Sequence, residues 1–426
     1  MLQTLFYIPN EIGGVPVFGF GLLLALWAIG SVVLLAWLGW RQGWNADTWG
    51  YVPILLLIAA AIGFVLPRLT EPEGLPIRGY GVMLLVALVA GTGMAAYRGR
   101  RLGIDPELIF AMAFWLFVPG ILGARLFYVV EYWRDFSRPT IGGTLIEILK
   151  VTEGGLVVYG SLVGGFLGLV AFLAKHRLPM LAMFDLLAPS VVLGMAIGRL
   201  GCMLNGCCFG GVCDLPWAVR FPAESPPHVH QVQHGETFLY GLKIQGPPEA
   251  PPVITAVQPG SPAEEHGLKA GQTITAINAR AVQTVEDAQW ALLKAHRHAS
   301  QLSVATQGAR KSAVWPITPP PPTSEPVHPT QLYSALDSLL LCLFLIAYHP
   351  FRRRDGELFA LLLTLYPITR FLLEIIRTDE ASVFGTGLSI SQNVSLIVLA
   401  AAVGVWIYVL RQPLGTVFPA YQPDGT

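Results

Sequence analysis

The residues best equipped for chemistry in this chain are charged groups set among apolar ones. Arg199 lies in Gly198-Arg-Leu-Gly-Cys-Met-Leu-Asn-Gly-Cys-Cys-Phe-Gly210 and Arg125 in Gly123-Ala-Arg-Leu-Phe-Tyr128. Arg370 and Glu374 stand one helical turn apart in Arg370-Phe-Leu-Leu-Glu-Ile-Ile-Arg377. A charge inside an apolar helix is costly, and its default reading is a functional site. Glu374 is the clear partner for Arg370, which leaves the two guanidinium groups of Arg199 and Arg370 short of counter-charge. Such a pair calls for an anion. A phospholipid headgroup fits, because arginine grips phosphate as a planar fork. Arg377 lies a further turn out and is expected to snorkel to the surface.

Other candidates flank these. His328 heads His328-Pro-Thr-Gln-Leu-Tyr333, and Tyr159 lies in Glu153-Gly-Gly-Leu-Val-Val-Tyr-Gly-Ser-Leu-Val-Gly-Gly165. The glycines of the second stretch would let two helix backbones approach closely and would put Tyr159 inside the bundle. Cys202, Cys207, Cys208 and Cys213 fall within twelve residues, and Cys342 stands alone in an apolar run. A disulfide is the first expectation for the cluster if it faces an oxidising compartment. Buried packing comes second, and metal or covalent chemistry last, because the spacing is not the paired Cys-x-x-Cys of a zinc ribbon. No metal and no cofactor are expected.

These groups must be held by membrane-spanning helices. Of the 426 residues, 53% are hydrophobic and only 13% charged, and the mean hydropathy is +0.56. Equal numbers of basic and acidic residues, 27 each, exclude a basic nucleic-acid binder. Apolar runs at about 18–39, 51–67, 80–97, 107–130, 156–174, 183–203, 331–349, 357–376 and 389–410 predict nine transmembrane helices. Basic residues follow the odd-numbered runs: Arg41; Arg98, Arg100 and Arg101; Lys175 and Arg177; Arg352, Arg353 and Arg354; Arg411. This places those loops in the cytoplasm and the N-terminus and residues 204–330 outside. No cleaved signal peptide is expected.

Residues 14–21 (Gly-Val-Pro-Val-Phe-Gly-Phe-Gly) recur sixty positions later as Gly-Leu-Pro-Ile-Arg-Gly-Tyr-Gly at 74–81. Residues 1–73 thus read as an extra hairpin repeating 74–133. Its polar positions are lost: Phe18, Phe20 and Val65 stand where the second copy has Arg78, Tyr80 and Arg125. The membrane core comprises 74–242 and 319–411, followed by a cytoplasmic tail, 412–426. Between its parts, 243–318 has a strand running into a turn over Val253–Ala263, then Gln272–Asn278, a helix over Val285–His296 and a strand at Ser300–Thr306. This insert resembles a bacterial PDZ domain, which implies an extended peptide ligand added at a sheet edge. Pro319–Pro322 reads as a stiff link back to the membrane.

Taken together, six motifs in order resemble the prolipoprotein diacylglyceryl transferases. They are Ile77-Arg-Gly-Tyr-Gly-Val-Met83, Gly123–Leu126, Gly154-Gly155 with Tyr159-Gly160, Gly198–Gly201 with Asn205 and Gly210, His328–Tyr333, and Arg370–Glu374. The resemblance implies an all-α polytopic enzyme of the bacterial inner membrane, here with an α+β insert. It implies transfer of the diacylglyceryl group of phosphatidylglycerol to the lipobox cysteine of a prelipoprotein, releasing glycerol phosphate. Arg199 and Arg370 would stabilise the leaving phosphate, with Glu374 orienting Arg370. His328 would be the base, a residue type that titrates near neutral pH. Tyr159 would position groups or relay a proton. Arg78, Tyr80, Arg125, Gly160, Asn205, Gly210 and Gln331 would shape the substrate site. Tyr159 stands where the family commonly has His; Cys202 and Cys207 stand in place of Asn and Glu. The alternative is a non-catalytic lipid-binding member that uses its insert as a receptor or scaffold.

Overall fold

In hydrocarbon a backbone must satisfy its own hydrogen bonds, so long apolar runs become helices. The computed structural model follows this rule along the chain. It describes residues 3–418 except 138–139, 150–154, 156, 299, 310, 318–322, 379, 381 and 384. Gly154 and the Pro319–Pro322 link therefore lie outside the described residues. The chain divides into two compact units, 1–83 and 84–426.

The first unit opens with β1 (Thr4–Ile8) and the hairpin β2 (Glu11–Ile12) and β3 (Val15–Pro16). Helices α1 (Leu22–Gln42), α2 (Ala46–Gly50) and α3 (Val52–Ala60) follow. Asn45 caps α2 by accepting the Thr48 amide at 3.0 Å. Helix α3 runs on through a π-helical turn, Ala61–Val65, and a short 3-10 turn, Leu66–Arg68. Strand β4 (Leu75–Arg78) then pairs antiparallel with β1, Phe6 opposite Ile77.

Helix α4 (Gly79–Arg101) leads to α5 (Pro106–Glu131), whose start is set by the Asp105 cap and Pro106 at its first position. Two apolar helices thus follow the β4 strand. After α6 (Trp133–Phe136) and α7 (Ile141–Leu149) come α8 (Val158–Lys175) and α9 (Met180–Asn205). Helices α5 and α8 pack backbone to backbone. A β-carbon at Gly160 would lie 2.3 Å from the Gly123 carbonyl oxygen, and one at Gly164 would lie 2.3 Å from that of Pro119. The small-residue stretch is therefore a helix contact.

The small α+β insert contains α10 (Pro226–Gln233), β5 (Leu242–Ile244), β6 (Ile254–Val257), α11 (Pro262–Glu265), β7 (Ile274–Ile277), β8 (Arg280–Ala281), α12 (Val285–His298), β9 (Gln301–Thr306) and β10 (Ala313–Pro316). Strands β10-β9-β7-β8 form one sheet, and β5 pairs with β6. Leu302, Val304 and Thr306 alternate inward on β9, and Ala288, Leu292 and Leu293 face inward from α12, as their spacing predicts. Val232, Leu239 and Tyr240 join this core from upstream of residue 243, because without them the inner faces of α12 and β5 would lack apolar cover.

The membrane core closes with α13 (Thr330–Tyr348), α14 (Glu357–Glu374) and α15 (Ile390–Arg411). Among the described residues, 8 helices are long and apolar enough to cross a membrane, against nine expected. The remaining candidate, α14, forms a helix of 18 residues but carries Glu357, Arg370 and Glu374. Both carboxylates are buried against neighbouring elements. Helix α9 is the most buried of the spans. Its Asp185, 1% exposed, accepts the amides of Gly356 (2.8 Å) and Phe359 (2.9 Å). A carboxylate from one helix so caps the first turn of another.

Candidate active site

Three loops and helix ends converge at the end of α9 opposite Asp185. The turn after α9 begins with Gly206 in the left-handed conformation, its amide donating to the Cys202 carbonyl at 2.8 Å. Gly210 donates to the His328 carbonyl (3.0 Å) and Gly211 to the Ile376 carbonyl (3.0 Å). Thr330 and Gln331 donate to the carbonyls of Cys208 (2.6 Å) and Cys207 (2.8 Å). A β-carbon at Gly210 would meet that of His328 at 2.6 Å, so only glycine lets these segments touch. The motifs around Arg199, His328 and Arg370 are more than 40 residues apart in sequence and are joined here.

Arg199 is partly buried and receives a hydrogen bond partner in the Tyr366 hydroxyl, with Cys208 and Cys202 also near its charge. Among the described residues no carboxylate pairs with it. Arg370 is different. Its guanidinium lies 2.7 Å from Glu374 and 3.8 Å from Glu380, and it donates to Ser391 at 2.9 Å. Arg377 lies 3.1 Å from Glu374 and 3.3 Å from Glu380. Its side chain is 4% exposed, so it does not snorkel to the surface. The expectation of one carboxylate for Arg370 is corrected as well: Glu380, in the loop between α14 and α15, supplies a second. The Glu380 carboxyl lies below its ordinary range; burial pushes it up, but Arg377, hydrogen bonds from Glu374 and Ser391, and Arg370 outweigh that.

His328 is partly buried, with Nδ1 3.4 Å from the Tyr333 hydroxyl, which accepts from Trp217 at 2.7 Å. Asn205 ends α9 and hydrogen-bonds Cys207. All five cysteines are free, so the disulfide expected of the cluster is not formed. The sulfurs of Cys202, Cys207 and Cys208 instead lie within 4.8 Å of one another, and Cys213 is outside the group. The Cys208 thiol is drawn below its ordinary range by hydrogen bonds from Cys202 and Cys207, with Arg377 and Arg199 adding.

The other expected site residues have surroundings of their own. The Arg125 guanidinium donates to the carbonyls of Ile148 (2.9 Å), Glu147 (3.1 Å) and Gly155 (3.2 Å) and lies over the Phe136 ring. It ties the end of α7 and Gly155 to α5. Gly160 is in the α5–α8 contact. Tyr159, one residue before it, forms no hydrogen bond with Arg199, His328 or Arg370 among the described residues. Arg78 and Tyr80 belong to the first unit, where Arg78 pairs with Glu71 at 3.4 Å, both groups exposed. The sequence reading missed Glu380, Tyr366 and Asp185. Tyr366 sits four residues before Arg370 on α14, a helical spacing that could have flagged it.

The profile of the family described as "Prolipoprotein diacylglyceryl transferase" matches residues 67–248 and 261–408, well over half of the chain. The chain belongs to the prolipoprotein diacylglyceryl transferase family. A phosphatidylglycerol--prolipoprotein diacylglyceryl transferase of Rhodopirellula baltica is 36% identical over 440 residues, covering 94% of this chain and 88% of that protein. The enzyme of the same name from Synechococcus elongatus is 35% identical over 190 residues, 44% of this chain and 64% of its own length. That of Clostridium tetani is 36% identical over 172 residues, 39% and 66% respectively. The chain therefore matches somewhat under two thirds of these two relatives, and most of the Rhodopirellula protein. As a family member it is a multi-pass membrane transferase, in agreement with its apolar helices.

Proposed function

We propose that this transferase moves the diacylglyceryl group of phosphatidylglycerol onto the lipobox cysteine of a prelipoprotein. The observation that carries the reading is Arg199: a partly buried guanidinium at the meeting point of three family motifs, with a tyrosine hydroxyl and thiols around it and no carboxylate among the described residues. Such a group is poised for an external anion. In this reading Arg199 holds the lipid phosphate as it becomes the leaving group, which is electrostatic stabilisation by a preorganised cation. Arg370, held rigid by Glu374 and Glu380, offers a preorganised guanidinium. His328 serves as the base of the reaction. Tyr159, Asn205, Gly210 and Gln331 shape and hold the site.

The compartment belongs to the same proposal: an inner-membrane protein with its N-terminus and residues 204–330 in the periplasm and its C-terminus in the cytoplasm. The basic loops after alternate helices support this orientation. The insert serves as a PDZ-like module for an extended segment of the client. The four-stranded sheet and the core it shares with α12 support this reading.

The test uses labelled phosphatidylglycerol and a lipobox peptide. Arg199→Ala and Arg370→Ala are expected to abolish transfer, and lysine at either position to rescue poorly because it lacks the fork. Full activity in Arg199→Lys sinks the phosphate role. Complementation of cells depleted of their own transferase separates this function from that of a non-catalytic scaffold.

A further inference from the structure

Neighbouring residues ordinarily send their side chains in different directions. Cys207 and Cys208 nonetheless bring their sulfurs together, within 4.8 Å of each other and of Cys202. The convergence depends on Cys208, whose backbone is left-handed at φ 59°. That conformation is uncommon for a non-glycine residue. Simple packing needs no such conformation. Outer contacts hold the arrangement: Gln331 and Thr330 bind the carbonyls of Cys207 and Cys208, and Gly206 binds that of Cys202.

The geometry suits a soft cation. Zinc–sulfur bonds near ~2.3 Å in a tetrahedron set sulfurs about 3.8 Å apart, so the three thiols need move by only about an ångström to close on an ion. Three thiolates and Zn2+ leave one negative charge, and Arg377 and Arg199 lie close enough to act on it. A disulfide would use two of the sulfurs and leave the third without purpose. Three protein ligands, with a fourth position open, are the pattern of catalytic zinc, and a thiol that coordinates zinc loses its proton.

We propose that Cys202, Cys207 and Cys208 hold a zinc ion whose fourth position takes the client's cysteine thiol. This rests on the transfer reading above and specifies how the thiol is activated. The client thiol displaces zinc-bound hydroxide, and its proton leaves in the water that forms. The zinc-held sulfur then bonds to the glycerol carbon as that carbon's bond to the phosphate oxygen breaks. The electron pair leaves with glycerol phosphate. His328 takes the proton of the next zinc-bound water and so restores the hydroxide. The cysteines that stand in place of the family's Asn and Glu thereby have a role of their own.

The full-length protein, purified in nanodiscs with zinc supplied, is assayed for metal by mass spectrometry. One zinc per chain is expected. Serine at Cys202, Cys207 or Cys208 should weaken zinc binding at least about tenfold, while Cys213→Ser and Cys342→Ser keep it. A second measurement needs no variant. Cobalt loaded into the wild type should show thiolate charge-transfer bands, and these should shift on adding a lipobox peptide with cysteine but not with serine. Zinc retained in the triple serine variant, copper in its place, or a Cys202–Cys207 disulfide in the purified protein would overturn the site. Bands unmoved by the cysteine peptide would overturn thiol activation. If zinc binds through the trio but the wild type transfers no lipid, the transfer reading falls and the site stands. If the triple variant transfers at the wild-type rate, the zinc role falls and the transfer reading stands.

Discussion

Replacing Glu374 by glutamine removes one negative charge with almost no change of shape. In the native protein Glu374 lies 2.7 Å from the Arg370 guanidinium and 3.1 Å from that of Arg377, and it accepts the Ser389 hydroxyl at 3.1 Å. At an effective dielectric of ~20 the two attractions are worth about 6 and about 5 kcal/mol before solvation. Dehydrating the three ions offsets much of this. Breaking a buried pair by removing one partner typically costs about 3–5 kcal/mol, because the other charge stays buried. All three side chains are shielded from solvent, so screening does not reduce that range. Glu374→Gln should therefore lower stability by about 3–5 kcal/mol, since two guanidinium groups would then share Glu380 alone. The double variant Glu374→Gln, Arg377→Gln restores the balance and should recover part of the loss. The assay is the unfolding midpoint of the purified protein in nanodiscs, followed by tryptophan fluorescence. A multi-span protein does not unfold in two states, so the rank order of midpoints is the readout. A single variant as stable as the wild type, or a double variant less stable than the single one, would refute the reasoning.

Gly160→Ala would drive a β-carbon into the Gly123 carbonyl and should cost about 1–3 kcal/mol, whereas Gly93→Ala, with nothing within 4 Å, should be neutral or better in the same unfolding assay. Arg125→Lys loses the fork that binds three carbonyls; limited proteolysis should cut between α7 and α8 sooner, while a rate unchanged from wild type would count against the tie. Because the Glu380 carboxyl is held low, its contribution to stability is present above the ordinary carboxylate range and lost as pH falls through its folded value. Glu380→Gln should flatten that acid-side decline in midpoint. Deleting residues 236–317 behind a flexible bridge should raise KM for a full-length client and leave a short lipobox peptide unaffected; equal losses for both would make the insert a lid instead of a tether.

The membrane character, the spans and the family were legible in the sequence because each depends on local composition or on short contiguous motifs. An apolar run must be helical wherever it lies in hydrocarbon, and the alternation on β9 and the spacing on α12 mark their buried faces without reference to any neighbour. The electrostatics of the site were not legible, because they depend on which side chains meet across distant elements. Glu380 lies in the connection between α14 and α15, yet it shares two arginines with Glu374. Arg377 looked like a surface group, and nothing in the sequence marked the carbonyls that Arg125 meets. Folding buried the first in a charge network and bound the second to three carbonyls. The cysteines illustrate the same limit. Their spacing of five and one carries no metal signature, and only a left-handed turn at Cys208, held by the start of α13, brings three sulfurs to one point. Sequence periodicity determines what a helix must bury; tertiary structure decides which charges and thiols become neighbours.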